Sequence, residues 1–388
     1  MKVLHVVGAR PNFVKMAPVV AAIEARNATC GPRDLRFEQV LVHTGQHYAE
    51  ILSGVFLDQL ALPEPDEYLG VGSGSQAQQT ARLLEALEPV MLRHRPDVVL
   101  VPGDVNSTCA AALVAAKLNV PVAHLEAGLR SGDRGMPEEI NRIVTDHVAN
   151  LLLTTCADAD ANLLHEGIPP ERIARVGNTM IDSLFRLRDR AEATVTDTRA
   201  RLGLHDRAFV LVTLHRPSNV DAPEQLQRLV AVLAELARDL PVVFPMHLRT
   251  RARLRQLLGE GDSLRDARGL ILTDPLGYLE FLGLMTQAAA VVTDSGGVQE
   301  ETTVLGVPCV TVRTTTERPI TVTQGTNRLA DPLDQGAILL AARAAVAQGI
   351  AAAPPVLPLW DGDAGHRVAG ALALWASESP NKSGHVRS

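Results

Sequence analysis

The feature that most constrains this chain is the alternation of short, fully apolar runs with amphipathic segments of helical length. Strands that are apolar on both faces and separated by helices are typical of a parallel sheet covered by helices on each side. The first part of the chain therefore predicts an α/β unit. Its expected strands are VLHVV (3–7), VLVHT (40–44), VVLVP (98–102), VPVAH (120–124), LLLTT (151–155) and IARVG (173–177).

The same alternation restarts after a polar, Arg-rich segment at 185–207. A chain of 388 residues has room for two domains, and this segment predicts the boundary between them. We expect an N-terminal domain at 1–185, a C-terminal domain at 186–362, and a last helix at 363–377 that crosses back to the first domain. The second series consists of FVLVTLH (209–215), PVVFPMH (241–247), GLILTD (269–274), AVVTDS (290–295) and PCVTVR (308–313).

Composition excludes several classes of function. The chain has 37 basic and 44 acidic residues, a net charge of −7 and only 3% aromatic residues, so neither general attraction to nucleic acid or membranes nor base stacking is expected. No run of 18 apolar residues occurs, and no small-residue cleavage site follows the start MKVLHVVGARP. The expected location is the cytoplasm.

The sequence predicts no metal site and no cofactor. The four cysteines form no CxxC pair, which argues against a zinc knuckle and against a disulfide framework. HTGQH (43–47) has two histidines four residues apart, but no Glu follows the first and His43 belongs to an expected strand. GVGSGSQ (70–76) does not follow a buried strand, so it does not predict a dinucleotide site.

The segment GARPNFVK (8–15) predicts an anion site, because ligands of open α/β sheets bind beyond the carboxyl ends of the strands. Gly8 permits a tight turn, and Arg10 and Lys15 stand close to an expected helix N-terminus. The pattern is neither a Walker loop nor a GxGxxG fingerprint. An ordinary strand-to-helix turn with surface charges therefore remains the alternative.

A second anion site is predicted at TDSGGVQEE (293–301). Backbone N–H groups of Ser295, Gly296 and Gly297 at a helix start favour a diphosphate, and Glu300 or Glu301 could accept hydrogen bonds from ribose hydroxyls. The alternative is a capping box followed by a solvated acid. Two anion loops in different domains indicate a nucleotide-linked substrate.

Acid and base candidates follow several strands. GDVNST (103–108) contains Asp104, and paired carboxylates in a cleft can divide the roles of acid and base. His215 and His247 each end a strand of the second series, with Arg close behind. The alternative is a salt-bridged network between helix and sheet. Charge is densest in HLEAGLRSGDRGMPEEINR (124–142), with Glu126, Arg130, Asp133, Arg134, Glu138, Glu139 and Arg142.

Ordered motifs give the chain a resemblance to a known family. They are GARPNFVKMAPV (8–19), TGQHY (44–48), GDVNST (103–108), HLEAGLRSGDRGMPEEINR (124–142), VGNTMIDSL (176–184), HRPSN (215–219), DSGGVQEE (294–301), TTERPITVTQGTNR (315–328) and WDGDAGHR (360–367). The sequence closely resembles the non-hydrolysing UDP-N-acetylglucosamine 2-epimerases. This resemblance implies a GT-B fold, in which two Rossmann-like domains face a central cleft, and usually a homodimer. It also implies interconversion of UDP-GlcNAc and UDP-ManNAc for cell-surface polysaccharide synthesis, with no metal or nicotinamide.

The resemblance also implies roles for single residues. Four match the catalytic groups of the family: Asp104, Glu126, Glu138 and His215. A larger set matches the positions that hold the nucleotide: Arg10, Lys15, Ser295, Gly296, Gly297, Glu301 and Arg318, with His247 as a further contact. Asp133 and Glu139 receive no role. The implied reaction is elimination of UDP to a 2-acetamidoglucal, followed by readdition with inversion at C2.

Two departures from the family pattern bear on regulation and substrate. LGVGSGSQAQQT (69–80) replaces an Arg-containing stretch linked in many bacterial members to allosteric activation, although Gln46 and His47 of that site are present. Ile320 after ERP resembles archaeal members and those acting on diacetamido-uronic acid sugars. The first alternative is therefore a UDP-2,3-diacetamido-2,3-dideoxyglucuronic acid 2-epimerase. The others are a hydrolysing epimerase that releases ManNAc, a GT-B glycosyltransferase and a UDP-sugar sensor.

Overall fold

The chain divides into two compact units in a computed structural model that describes residues 1–45, 54–246, 250–254 and 269–378. One unit is formed by Met1–Ser183 together with the segment that starts at Pro358, and the other by Leu184–Leu357. The sequence predicts changes of domain after residues 185 and 362, and the observed changes come after 183 and 357. Gln46, His47 and His247 lie outside the described residues.

The first unit is built on a parallel sheet. Its described strands lie in the order β3-β2-β1-β4-β5-β6-β7. The six predicted strands are confirmed, whereas β3 was not predicted because a two-residue edge strand contains no apolar run. The strands are β1 (Lys2–Val7), β2 (Glu38–His43), β3 (Glu67–Tyr68), β4 (Val98–Pro102), β5 (Val122–Ala127), β6 (Leu151–Thr154) and β7 (Ile173–Arg175).

Helices cover both faces of this sheet, and small residues allow the closest approach. Helix α4 carries Ala110, Ala111 and Ala112, all fully buried in the apolar cluster that also contains Leu83 and Val99. Without long side chains, the α4 backbone can lie close to the strands. The helices are α1 (Arg10–Thr29), α2 (Gly54–Leu60), α3 (Gln76–His94), α4 (Asn106–Lys117), α5 (Pro137–Val148), α6 (Ala157–His165) and α7 (Thr179–Arg201), which runs on into the second unit.

The second unit repeats the plan with a parallel sheet ordered β10-β9-β8-β11-β12-β13 among the described strands. The unpredicted member, β13 (Asn327–Ala330), is again an edge strand. The other strands are β8 (Val210–Thr213), β9 (Val242–Pro245), β10 (Leu270–Thr273), β11 (Ala290–Thr293) and β12 (Cys309–Val312). The helices are α8 (Pro217–Val220), α9 (Pro223–Leu236), α10 (Tyr278–Gln287), α11 (Gly296–Leu305), α12 (Ile320–Thr323) and α13 (Gln335–Gln348).

The last described helix, α14 (Ala364–Glu378), packs against α1 in the first unit. Its first N–H groups, those of Ala364 and Gly365, donate to the carboxylate of Asp182 at 3.1 and 2.7 Å. Burial raises the pKa of Asp182, and these two hydrogen bonds oppose that rise. The N-terminus of α14 is thus capped by an acid from α7. None of the described helices is both long enough and apolar enough to span a bilayer.

Substituting Gly365 tests this packing. A Cβ at Gly365 would lie 2.6 Å from the Pro18 carbonyl oxygen of α1, and backbone cannot move aside as a side chain can. We expect Gly365→Ala to lower the free energy of unfolding by about 2 kcal/mol, the usual cost of overpacking. Thermal unfolding measures the loss.

Gly370 provides the control on the same helix. A Cβ there meets nothing within 4 Å, so Gly370→Ala should stabilise the protein by about 0.5–1 kcal/mol through helix propensity. If Gly365→Ala were as stable as Gly370→Ala, the close approach of α14 to α1 would be wrong.

Candidate functional site

The connection between β1 and α1 is held by one buried asparagine. Asn12 Oδ1 accepts from the N–H groups of Gly8 (3.2 Å) and Ala9 (3.0 Å), and Asn12 Nδ2 donates to the Pro102 carbonyl at 3.0 Å. The role predicted for Gly8 is corrected here. A Cβ at this position would overlap Ser107 Oγ, so the glycine provides room for α4 rather than an unusual turn.

Lys15 and Glu126 form a buried ion pair. Lys15 Nζ lies 2.6 Å from Glu126 Oε2, and the two side chains are only 7% and 4% exposed. The ammonium also lies against Gly103, where a Cβ would come within 2.8 Å of Nζ. Lys15 is therefore not a surface charge beside a helix N-terminus, whereas Arg10, the first residue of α1, is half-buried.

Glu126 has an unusual backbone. Its φ is 72°, in the left-handed region that non-glycine residues rarely adopt. The register of β5 against β6 shifts at this point, between Leu125 and Ala127, which marks a β-bulge. Such a conformation costs on the order of 1–3 kcal/mol, is over-represented at functional sites, and re-aims the side chain.

Asp104 is held by a second buried cation. Arg142 of α5 is 1% exposed, donates through Nη1 to Asp104 Oδ2, and donates through Nη2 to Glu139 Oε2 at 2.6 Å. Asn141 Nδ2 also donates to the backbone carbonyl of Asp104 at 2.9 Å. Arg142 therefore links Asp104 to a carboxylate in the first turn of its own helix.

Glu139 serves as the anchor of Arg142. Its carboxylate accepts from the N–H groups of Ser131 and Gly132 at 2.9–3.1 Å. Burial would raise the pKa of Glu139, but the Ser131 and Gly132 N–H groups and Arg142 outweigh burial and hold the pKa below its usual value. The salt-bridge interpretation of Glu139 agrees with these contacts. The neighbouring Glu138 is half-buried in the same helical turn.

In the second unit, Asp294 organises the segment that follows β8. This fully buried carboxylate accepts from the N–H groups of His215 (3.1 Å) and Arg216 (2.9 Å) and from Asn219 Nδ2 (3.0 Å). His215 Nδ1 lies 3.2 Å from Asp294 Oδ1, while half of the His215 side chain remains exposed. Asp294 thus fixes an accessible imidazole at the carboxyl end of the sheet.

The predicted diphosphate loop, Ser295–Gly297, begins α11 and is half-buried. One part of the prediction is corrected: the Ser295 N–H donates to Thr293 Oγ1 at 3.0 Å. At Gly296 a Cβ would lie 2.6 Å from Glu317 Oε1 and would also crowd the Arg318 guanidinium. A side chain at 296 would therefore have to displace the ion pair that Glu317 and Arg318 form beside the loop.

That ion pair belongs to a cluster of buried charges. Arg318 donates to Glu317 through Nη1, and its Nε lies 2.9 Å from Glu300 Oε1. Arg313 donates to Glu317 at 2.7 Å, and Arg216 lies 3.6 Å away. Burial alone would raise the pKa of Glu317, but Arg318, Arg313 and Arg216 hold it well below the usual range. Arg318 therefore supports the loop from below.

Glu301, the expected ribose acceptor, is 3% exposed and accepts a hydrogen bond from the Tyr278 hydroxyl at 2.7 Å. Tyr278 begins α10, so this bond ties two helices together below the carboxyl end of the sheet. Among the residues that the structure describes, no three His, Cys, Asp or Glu side chains are grouped so that they could hold a metal ion.

Each unit therefore gathers its own part of the predicted site. Lys15, Glu126 and Asp104 meet buried partners in the first unit, and His215 lies beside Asp294, just before Ser295, in the second. Sequence reasoning assigned no role to Arg142 or Asp294, although both belong to quoted motifs. An acid directly between a buried strand and a glycine-rich turn was the available signal for Asp294. His247, a predicted contact, lies outside the described residues.

Comparison with known proteins extends these observations. The family of UDP-N-acetylglucosamine 2-epimerases matches residues 32–373. The UDP-N-acetylglucosamine 2-epimerase of Methanocaldococcus jannaschii is 42% identical over 333 residues, which cover 85% of this chain and 88% of that protein. The UDP-2,3-diacetamido-2,3-dideoxy-D-glucuronate 2-epimerase of Pseudomonas aeruginosa is also 42% identical over 333 residues, with the same coverage of 85% and 88%.

A solved structure agrees over nearly the whole chain. The crystal structure of the M. jannaschii UDP-GlcNAc 2-epimerase in complex with UDP-GlcNAc and UDP has a TM-score of 0.87 at 38% identity, covering 96% of this chain and 100% of that one. The predicted fold class, two Rossmann-like α/β domains of the GT-B type, is confirmed, and so is the resemblance drawn from the motifs. On the family match, the sequence identity and the shared fold together, this chain belongs to the UDP-N-acetylglucosamine 2-epimerase family.

Proposed function

We propose that this enzyme interconverts UDP-GlcNAc and UDP-ManNAc without hydrolysis. Family membership supports the proposal, and the observation that carries it is the buried Lys15–Glu126 pair, 2.6 Å apart, with Glu126 in a left-handed backbone conformation. Backbone strain of this kind is typical of functional sites. Glu126 and Asp104, whose loop is bonded to the same strand through Gly103, would supply two carboxylates for proton transfer at carbon.

The chemistry explains why such groups are needed. The hydrogen on sugar C2 is not adjacent to a carbonyl, so its direct removal would be very slow. In the proposed elimination, a carboxylate takes the C2 proton, its bonding electrons form the C1–C2 double bond, and the C1–O bond breaks to release UDP. The products are 2-acetamidoglucal and UDP. Readdition delivers a proton to the opposite face of C2 while a UDP oxygen re-forms the bond to C1.

The catalytic assignments follow the family motifs, and the buried contacts of Lys15 and Arg142 support them. We assign Asp104 and Glu126 to the two faces of C2 and Glu138 to orienting the sugar or donating a proton. Arg10 and Lys15 are assigned to the departing diphosphate. Lys15 also compensates the charge of Glu126. Arg142 keeps Asp104 in place.

The second unit would hold UDP. On the family motifs, the loop Ser295–Gly297 is assigned to the diphosphate, and Glu301 and Arg318 to the rest of the nucleotide. Arg318 also supports the loop through its contact with Glu317. His215 would lie near the anomeric oxygen or the phosphate, with Asp294 fixing its ring. His247 stays a predicted contact.

Further aspects rest on the family resemblance. We propose that the first unit supplies the sugar-side groups and the second the nucleotide-side groups. We also propose a homodimer in the cytoplasm that serves cell-surface polysaccharide synthesis. Gln46 and His47 stay the candidate allosteric residues, while the replaced stretch at 69–80 argues against activation by UDP-GlcNAc.

A second substrate has specific support. The P. aeruginosa relative, named for a 2,3-diacetamido-2,3-dideoxy-D-glucuronate substrate, is as identical to this chain as the M. jannaschii enzyme, at 42%. Ile320 lies at the start of α12, two residues after Arg318, and is buried to 5% exposure. The same elimination would then act on UDP-2,3-diacetamido-2,3-dideoxyglucuronic acid.

Proton NMR in deuterium oxide separates the candidates. Each sugar nucleotide is incubated with the purified protein and no acceptor. We expect UDP-GlcNAc to yield UDP-ManNAc with solvent deuterium at C2, because the removed proton exchanges with solvent. Faster turnover of the diacetamido sugar would select that substrate instead. Free ManNAc would indicate hydrolysis, and binding without turnover would indicate a sensor or a transferase that lacks its acceptor. Epimerisation with no deuterium at C2 would refute the elimination.

Glu126→Gln tests the catalytic assignment. The amide cannot act as a base, so kcat should fall about 10³-fold, within the usual range for a general base. UDP binding, measured by calorimetry, should remain. The matched control is Asp133→Asn, an exposed acid of the same motif that accepts the Gly135 N–H at 2.9 Å, and it should keep full activity. Native turnover by the Glu126 variant would remove Glu126 from the mechanism.

Gly296→Ala tests the nucleotide loop. The added Cβ would displace Arg318 and Glu317, so UDP should bind about tenfold more weakly, as expected for losing one charged contact. Gly336→Ala is the control, because a Cβ at this exposed glycine of α13 meets only Asp334 Oδ1 at 3.4 Å. Equal UDP affinity of the two variants would show that the loop does not hold UDP.

A further inference from the structure

A completely buried histidine lies two residues before Glu126. His124 belongs to β5, is 0% exposed, and has both ring nitrogens engaged. Nε2 lies 2.7 Å from the Gly103 carbonyl oxygen, and Nδ1 lies 2.6 Å from Asp146 Oδ1. A carbonyl can only accept, so Nε2 carries the hydrogen of that bond.

Asp146 is itself fixed from three sides. Its Oδ2 accepts from the Gly128 N–H at 3.1 Å and from Arg130 at 2.7 Å, and Arg130 is bound to Glu166 by two hydrogen bonds of 2.7 Å. Burial would raise the pKa of Asp146, but His124 and Arg130 outweigh it and hold the pKa below its ordinary value. The Asp146 carboxylate and the Gly103 carbonyl thus hold the ring from both sides, and it cannot rotate without losing both contacts.

The residue that His124 holds, Gly103, links the two proposed C2 carboxylates through the backbone. Gly103 directly precedes Asp104, and its N–H donates to the carbonyl of Leu125, the residue before Glu126, at 2.9 Å. Gly103 has a φ of 66° and faces Lys15 Nζ. The backbone carbonyl and N–H of Gly103 are thus both bonded to β5, the strand that carries Glu126.

We propose that His124, clamped by Asp146, is a positioning residue that holds the Gly103 peptide so that Asp104 stays in register with Glu126 and Lys15. The inference rests on the proposed function of this site. An apolar residue at 124 would pack equally well but would leave the Gly103 carbonyl and Asp146 without this donor, and it would release the loop that carries Asp104.

A merely structural network predicts something different. If His124 only tied β5 to α5, its loss would lower the unfolding temperature but would leave kcat unchanged for the folded enzyme. Positioning instead predicts a loss of kcat with unchanged UDP affinity, since none of the residues assigned to UDP in the second unit is touched.

Two conservative variants separate the two bonds of the ring. In His124→Gln the side-chain amide nitrogen can take the place of Nε2 and donate to the Gly103 carbonyl. In His124→Asn the amide nitrogen takes the place of Nδ1 and reaches only Asp146. We expect kcat of the Asn variant to fall about 100-fold, as for a misplacement of catalytic groups by roughly 1 Å. The Gln variant should stay within about tenfold of wild type, and both should bind UDP normally.

The readouts are C2 deuterium incorporation, UDP affinity by calorimetry and the unfolding temperature. Equal kcat losses in the Gln and Asn variants, or full activity of the Asn variant, would overturn the proposal. Should the Asn variant not fold, the Gln variant decides: a measurable fall in kcat of no more than about tenfold, with unchanged UDP affinity, supports positioning, and either an unchanged kcat or a larger loss refutes it. If the wild-type enzyme incorporated no deuterium, the proposed function itself would fail. That result comes from the wild type alone, so it is distinguishable from a failure of the positioning proposal, which is measured on the variants.

Discussion

Burial of charge is the constraint on which the proposed site depends. A carboxylate transferred from water into a protein interior costs several kcal/mol unless a cation and hydrogen bonds replace its hydration. Glu126 meets this requirement through Lys15, and Glu139 meets it through Arg142, whose guanidinium also binds the less buried carboxylate of Asp104. Removing either cation would leave an uncompensated buried charge, at a cost of about 3–5 kcal/mol. The positions of the carboxylates are therefore fixed by the same interactions that make their burial possible.

The second unit also compensates its buried carboxylates, in this case with several arginines around one glutamate. Glu317 lies among Arg318, Arg313 and Arg216, and a Cβ at Gly296 would have to displace the pair formed with Arg318. The glycine of the loop is thus a consequence of the buried ions as much as of an approaching ligand. Asp294 applies the same principle with neutral donors, because backbone N–H groups and Asn219 take the place of water.

The sequence predicted those parts of the structure that local patterns encode. Apolar runs located the inner strands of both sheets, since a strand buried on two faces cannot be polar. The edge strands Glu67–Tyr68 and Asn327–Ala330 were not predicted, because a half-exposed strand needs no continuous apolar run and neither of them has one. The side chains that bind the candidate catalytic residues were harder to predict. That Arg142 would bind Asp104 depends on how α5 packs against α4 and β5, and sequence spacing alone does not contain this information.

Glu126 adopts a backbone conformation that its residue type does not favour. Glycine would adopt a φ of 72° without strain, yet the chain has a glutamate there, and Gly128 follows two residues later with a φ of 80°. Strain of this kind persists only where the surroundings over-determine the conformation. They do so here from two directions: Lys15 holds the side chain, and the Gly103 N–H holds the preceding carbonyl of Leu125. The bulge is therefore maintained by the groups with which Glu126 is proposed to act, so its stability and the proposed catalysis would depend on the same contacts.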